Sequence, residues 1–325
     1  MSVITTGSNL KTNPNLNNFA KTLFKDIADP GRIGGDRFFK KHKISGVAEE
    51  FYTTHGADMP VPLSETADPP TTQPVVGFSK SVRTFLYGQA MTYSKEALQQ
   101  DPGRLVGDRE TLMDGKRRFI ELQLALFVTT AIEGSTATLL GGKALTDNNT
   151  IDGLPYFHSA HTFASGGVTN SNLSSAERTV SLANLESMRL QARGWFDQRG
   201  VPMGSKVTGW ICGIHNTVKL RALHMPTQDP ESDLNAYNQL KVKDGTGTAP
   251  SGVDEWELLP RDEFMAACAP KPGLPCWLHA YQAGYENDVL DYTSPSGIRR
   301  TIGYRYKNLV TAISPYGHIT RRVAS

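Results

Sequence analysis

The chain has 325 residues, enough for two domains or one elaborate one. At 38% hydrophobic and 9% aromatic residues it can bury a real core, and a net charge of +2 is too small for a dedicated nucleic-acid binder, though not for a protein that lies beside nucleic acid without gripping it. Three cysteines with no CxxC pair, Cys212, Cys268 and Cys276, fit buried free thiols in a reducing compartment rather than a disulfide framework.

In chain order, MSVITTGSNLKTN lacks the apolar core of a signal peptide, and no apolar run approaches the ~20 residues of a membrane span. The expectation is a soluble, cytosolic product. Residues 1–50 read as an arm. Asn13-Pro14 caps a short helix in which Leu16, Phe19, Ala20, Leu23, Phe24 and Ile27 share one face, and Pro30-Gly31 ends it. A lone helix of this length cannot fold by itself and must dock on something. The basic cluster Arg37–Lys43, RFFKKHK, reads as a solvated face, with contact to an acidic neighbour or a phosphate as the alternative.

Residues 51–77 carry Pro60, Pro62, Pro69, Pro70 and Pro74, a composition that excludes helix and central strand and implies an extended excursion. A strand follows over Val75–Tyr93, with Val82, Thr84 and Leu86 on one face and Arg83, Phe85 and Tyr87 on the other.

Asp101–Gly134 reads as one long helix. Asp101-Pro102 starts it and Gly134 stops it. Leu112, Phe119 and Leu126 recur every seven residues, flanked by Met113, Ile120, Phe127 and Ala131, so the apolar stripe is broad. About 30 residues at ~1.5 Å each span roughly 45 Å. Gly107 and Gly115 are places where it could bend or break. Its first half is charged and its second half apolar, which predicts one wet end and one end in a core.

Gly141–Asp152 reads as a turn region. Ser181 caps a helix carrying Leu182, Leu185, Met188, Ala192 and Trp195, with Gly200 as its end. Lys206–Ile214 reads as a strand, His215–Leu223 as a short helix, and 225–255 as loop. Trp256–Leu259 and Cys276–Tyr281 read as short strands. Beyond Tyr292 there is no Asp or Glu, and Ile302, Tyr304 and Tyr306 alternate as in a strand. The mixture lacks βαβ regularity, so the predicted class is α+β.

Catalytic motifs are few. There is no HExxH, GxSxG or EF-hand loop. Gly142-Lys143 fails as a phosphate loop because Ala137 stands where the first glycine belongs and Ala144 where a magnesium-binding Ser or Thr belongs. Gly245 and Gly247 lack a third glycine and a strand–helix frame. His158 and His161, in DGLPYFHSAHTF, are the metal candidate, since three apart on a helix they would share a face. Pro155 before them and Ser165-Gly166-Gly167 after them argue against that helix, and no neighbouring ligand completes a shell. The alternative is a pair of structural histidines that hydrogen-bond a loop. No catalytic, cofactor-binding or metal residue is assigned.

Three segments carry a resemblance. Leu86–Asp101, LYGQAMTYSKEALQQD, resembles a strand followed by a T/S-x-E-A helix start. Gly153–Phe163 resembles a G-x-P-L-F-x-x-x-H motif ahead of a helix introduced by a Leu-Ser pair, here Leu173-Ser174. Cys276–Leu278, CWL, resembles a W-Y-L strand. In this order, over roughly residues 80–310, they resemble the tailed-phage major capsid proteins, and in particular the Mu-like major head subunit family. Tyr156 departs from that family's Leu and Phe163 from its frequent Asn.

The resemblance implies a Hong Kong-type capsid fold: an N-terminal arm (1–50), an extended loop and strands (51–100), a peripheral domain with a spine helix (101–153), an axial domain (154–292) and a C-terminal strand returning to the peripheral domain (293–325). It implies a non-enzymatic shell subunit without cofactors, assembling with itself into hexamers and pentamers around packaged double-stranded DNA. A separate scaffolding protein, a portal and decoration proteins are the further partners, and no membrane is involved. No motif permits the Lys–Asn cross-link of some relatives. The alternatives are a bacterial nanocompartment shell of the same fold and a metal-dependent hydrolase using His158 and His161.

Overall fold

The long helix organises the chain. In the computed structural model α1 runs unbroken over Arg104–Ile132, 29 residues, through both Gly107 and Gly115. The structure describes residues 34–54, 68, 76–94, 96, 104–134, 137–140, 143–164, 167–174, 179–197, 200–224, 252–259, 262–269, 274–285, 288–296 and 298–321. The arm helix, most of the proline-rich excursion, the Asp101-Pro102 start and the 225–251 loop lie outside these residues.

Gly134 ends α1 as expected. Its φ of +76° is a conformation that glycine adopts without a Cβ penalty, and its N–H donates to Ala131 O at 3.2 Å. The buried stripe differs from the heptad reading. Leu112, Lys116, Ile120, Gln123, Leu124, Phe127, Val128, Ala131 and Ile132 are buried, whereas Phe119 and Leu126 are only half-buried. Lys116 and Gln123 therefore occupy core positions that their polarity hides from a periodicity reading.

The chain divides into two compact units, the first from 1–49, 82–124 and 279–310, the second from 50–81, 125–278 and 311–325. In the first unit the elements before α1 are β1 (Lys40–Ile44) and β4 (Phe85–Ser94). After it come β11 (Trp277–Gln282), β12 (Asp288–Thr293) and β13 (Arg299–Ala312). The long strand β13 is the centre. It pairs antiparallel with β4 from Arg299↔Ser94 to Asn308↔Phe85, and with β12 from Arg300↔Thr293 to Arg305↔Asp288. Gly303 allows the β4–β13 approach, since a Cβ there would sit 2.3 Å from Gln89 O and 2.5 Å from the Ala90 Cα. Arg300 and Arg305 reach across to Asp291 and Asp288. The basic cluster is exposed at Arg37, Lys40, Lys41 and Lys43, and is partly balanced within the chain, Lys41 by Asp36 at 2.6 Å and His42 by Glu49 at 2.9 Å.

The second unit holds a five-stranded sheet in the order β7 (Leu173–Ser174), β14 (His318–Arg321), β10 (Phe264–Cys268), β8 (Val207–Cys212), β9 (Val253–Glu255). The β10 pairs are antiparallel and the two edge pairs parallel. Helix α2 (Leu182–Arg193) packs on one side through Leu185, Met188 and Ala192, which join Trp195, Trp210, Phe264 and Tyr316 in the core. Ser181 caps α2 by accepting from Asn184 N. Helix α3 (Ile214–His224) packs on β8 and β9. Two further strand pairs complete the description, β2 (Ala48–Thr54) with β3 (Val76–Arg83) and β5 (Ala137–Leu140) with β6 (Lys143–Asp147).

Several expectations need correction. The strand over Val75–Tyr93 is two strands, interrupted at Thr84, and the interruption reverses the phase: Val82 and Thr84 are buried, but Leu86 is 48% exposed while Phe85 and Tyr87 turn inward. A break of one residue does this because side chains alternate with period two. Lys143–Asp147 is a strand rather than a turn. Helix α2 ends at Gly194, not Gly200, which instead serves a tight turn closed by Asp197. Trp256–Leu259 is a turn, with the strand just before it at Val253–Glu255.

Candidate functional site

The segment Asn148–Ser174 carries both candidate histidines, and its backbone is not helical. It folds back on itself at Gly153, where Thr150 O accepts from the Gly153 N–H and Leu154 O from the Thr150 N–H. The fold-back brings Asp152 to His161. Nδ1–H of His161 donates to Asp152 Oδ2 at 2.8 Å and Nε2–H donates to Tyr156 O at 2.9 Å. Both ring nitrogens face acceptors, so the doubly protonated ring is the form that satisfies both. His161 is fully buried.

Asp152 serves as the hub. Besides His161 it accepts from Thr150 Oγ1, Leu154 N and Thr162 N. Burial works to raise its carboxyl, but these bonds, His161 foremost, hold it below the usual carboxylate range. His158 is only half-buried, and its ring is pushed down by burial and by the charge on His161. The two rings lie 5.8 Å apart. The structure thus brings both histidines together but turns His161 wholly inward, with no nitrogen left for a metal. Among the described residues no group of three or more His, Cys, Asp or Glu side chains is placed to hold an ion.

Asp152, Asn170 and Asn172 match no motif, yet they hold the segment. Asn172 donates to Tyr156 O at 2.6 Å and Pro315 O at 3.0 Å and accepts from His158 N at 2.8 Å. Asn170 is bonded to both backbone groups of Phe196. A signal was present: an Asp nine residues before a His, separated by a Gly-Leu-Pro turn, and two asparagines in a Gly/Ser-rich loop. These side chains replace a regular ladder and hold an irregular chain in a buried place.

Next to this clamp, Tyr156, Phe127, Trp277 and His318 form one cluster. The Tyr156 hydroxyl bonds His318 Nδ1 at 2.8 Å, and burial pushes His318 down to about 3, so its ring is neutral. Tyr156 is raised well above its ordinary range, by burial first, and stays protonated. Lys80, on β3, points into a third polar knot. Its ammonium meets Asp147 Oδ2 at 2.7 Å, Thr311 Oγ1 and Ala312 O at 2.8 Å, and Asn149 O. Burial lowers Lys80 against the pull of Asp147. The cysteines are free and buried, with thiols raised by burial, Cys276 to about 12. All three knots join stretches of chain that are far apart in sequence.

No family model and no curated protein matches the chain. Solved structures do match. One from Mycobacterium phage Patience superposes with a TM-score of 0.50 at 12% identity, covering 96% of this chain and 88% of that one. The asymmetric unit of the bacteriophage PhiM1 mature capsid gives 0.51 at 8% identity, covering 91% and 88%. The chain has the Hong Kong-type capsid fold. Identities this low speak to fold alone. In this capsid fold the α+β class and the unbroken long helix stand as expected. Among the described residues no helix is long and apolar enough to cross a membrane.

Proposed function

We propose that this chain is the major capsid protein of a tailed phage, placed in the virion shell. The observation that carries the reading is the length of the likeness: a mature phage capsid subunit matches over about nine-tenths of both chains, not over one shared module.

The finer reading rests on the sequence. The ordered motifs favour the Mu-like major head subunits. Hexamers and pentamers enclose double-stranded DNA, which a chain of net charge +2 contacts without tight binding. The arm (1–50) and extended loop (51–100) reach neighbours, the spine-helix domain (101–153) and axial domain (154–292) form the tile, and 293–325 returns to the peripheral domain. A separate scaffold, a portal and decoration proteins are its partners.

Sedimentation velocity on the purified chain, alone and co-expressed with the scaffold candidate encoded beside it, tests this. Hexamers, pentamers or closed particles are expected in at least one condition. A chain that stays monomeric in both contradicts the reading.

A further inference from the structure

Within the first compact unit, α1 and the β4–β13 pair enclose a cavity of about 250 Å³. Its place follows from the strand register. Tyr304 stands opposite Gln89 and Tyr306 opposite Tyr87, so these four side chains share one face of the sheet. Helix α1 covers that face with Phe119, whose ring lies 4.9 Å from Tyr87 and 6.4 Å from Tyr306. Four residues earlier, on the same side of the helix, stands Gly115. With no side chain there, the space between helix and sheet stays open. The Gln89 amide reaches beneath it: a Cβ on Gly115 would come 2.7 Å from Gln89 Oε1. Gly88 and Gln89 are exposed and mark the mouth, while Tyr304 and Tyr306 are buried and form the floor.

Shape, size and polarity together define what fits. The walls are rings at different inclinations, 36° between Tyr87 and Tyr306 and 72° between Phe119 and Tyr306. A flat ring that enters meets a face on one side and an edge on another, the two arrangements that aromatic pairs prefer. A cavity of roughly 150 Å³ accommodates a benzene ring, so this one has space for a ring with a short substituent. The polar element is Gln89. Burial lifts Tyr304 to about 12, so its hydroxyl stays protonated, and it donates to Gln89 Oε1 at 3.2 Å. The amide oxygen is thereby turned to the tyrosine, and the amide N–H groups of Gln89 have no partner among the described residues. The site therefore presents donors and suits a ligand that brings an acceptor.

We propose that this cavity is a binding site for a small, neutral, flat aromatic molecule bearing one hydrogen-bond acceptor, of which an aryl ketone is the simplest form. The ring lies among Tyr87, Phe119 and Tyr306, and the carbonyl oxygen accepts from the Gln89 amide. Binding is non-covalent. Every wall comes from one chain, so the site is complete without a second copy and does not depend on the shell reading.

The test titrates the full chain with acetophenone and, separately, with cyclohexyl methyl ketone, which keeps the carbonyl and loses the flat ring. Both are followed by saturation-transfer NMR and calorimetry. Acetophenone is expected to bind with a Kd below about 1 mM, and roughly five-fold or more tighter than the saturated ketone. Gln89→Glu keeps an acceptor for Tyr304 but removes the amide donors, and should weaken acetophenone roughly ten-fold. Gly115→Met places a side chain in the space and should abolish binding in a chain whose melt shows it folded. If that variant does not fold, Gln89→Glu, at an exposed position, still decides. Absence of saturation transfer to acetophenone overturns the proposal. So does equal affinity for the two ketones, or undiminished acetophenone binding by either folded variant, since each means that the cavity does not hold the ring.

Discussion

Trp277 and His318 stack face to face, ring centroids 3.7 Å apart and planes inclined by 17°. The stack joins the β11 strand to the start of β14, and the Tyr156 hydroxyl fixes the imidazole from the side. Because burial depresses His318, the unfolded chain takes up a proton below about pH 6.5 that the folded chain refuses until about pH 3. Stability from this site is therefore complete above pH 6.5 and falls as the pH drops through that window. Urea denaturation of His318→Phe should show a shallower decline between pH 6.5 and 4 than the parent chain. Tyr156→Phe, which strips the imidazole of its donor, should cost about 1–2 kcal/mol at pH 7.

Asp152 titrates on the acid side. Asp152 is held below its unfolded value near 3.9. Its contribution is present above that value and is lost as the pH falls through the folded one. Asp152→Asn should destabilise the chain at pH 7 by about 3 kcal/mol, since it leaves a buried imidazolium without its carboxylate. The gap between variant and parent should narrow below pH 4 in the same denaturation series.

Two glycine substitutions should have opposite signs. Gly303→Ala drives a Cβ into the β4 backbone, where no side chain can yield, and should cost about 3 kcal/mol or more or abolish soluble expression. Gly107→Ala, inside α1 with nothing within 4 Å of the new Cβ, should raise stability by up to about 1 kcal/mol. Thermal melts of the two variants beside the parent decide both.

Lys80 ties β3 to the residues that end β13. Lys80→Met keeps the stem and removes the ammonium from four oxygen acceptors. Asp147 is 30% exposed and can recover some hydration, so the cost should be about 1–3 kcal/mol, less than for a fully buried pair. Protection of the β3 amides in hydrogen exchange should fall more than that of α2.

Deleting residues 1–30 should impair assembly more than subunit folding, as expected of an arm that docks on a neighbour. Circular dichroism melts of the truncated chain should stay close to the parent, while its particle yield drops. Normal particles from the truncated chain would contradict the arm's role.

How much of this was readable from the sequence varies with how local the causes are. Helix α1 was legible because its apolar repeat and Gly134 are local signals, and α2 because Ser181 caps it. The phase reversal at Thr84 was not, since a one-residue interruption leaves no compositional trace. Lys116 reads as one more charge in a charged stretch, yet it is buried, with Tyr304 and Tyr306 of β13, over a hundred positions away, beside its ammonium. The histidine segment was half legible. Its non-helical backbone followed from Pro155 and the glycines, but the Asp152 partnership depends on the turn at Gly153, whose φ of +80° folds the segment onto itself.

Electron microscopy of the purified chain, co-expressed with its scaffold candidate, tests the capsid reading most directly. The account predicts closed icosahedral shells, or tubes and sheets of hexameric tiles, into whose density this fold fits with α1 as an unbroken rod. Fields of dispersed monomers in every condition, from a chain shown to be folded by its melt, would contradict it.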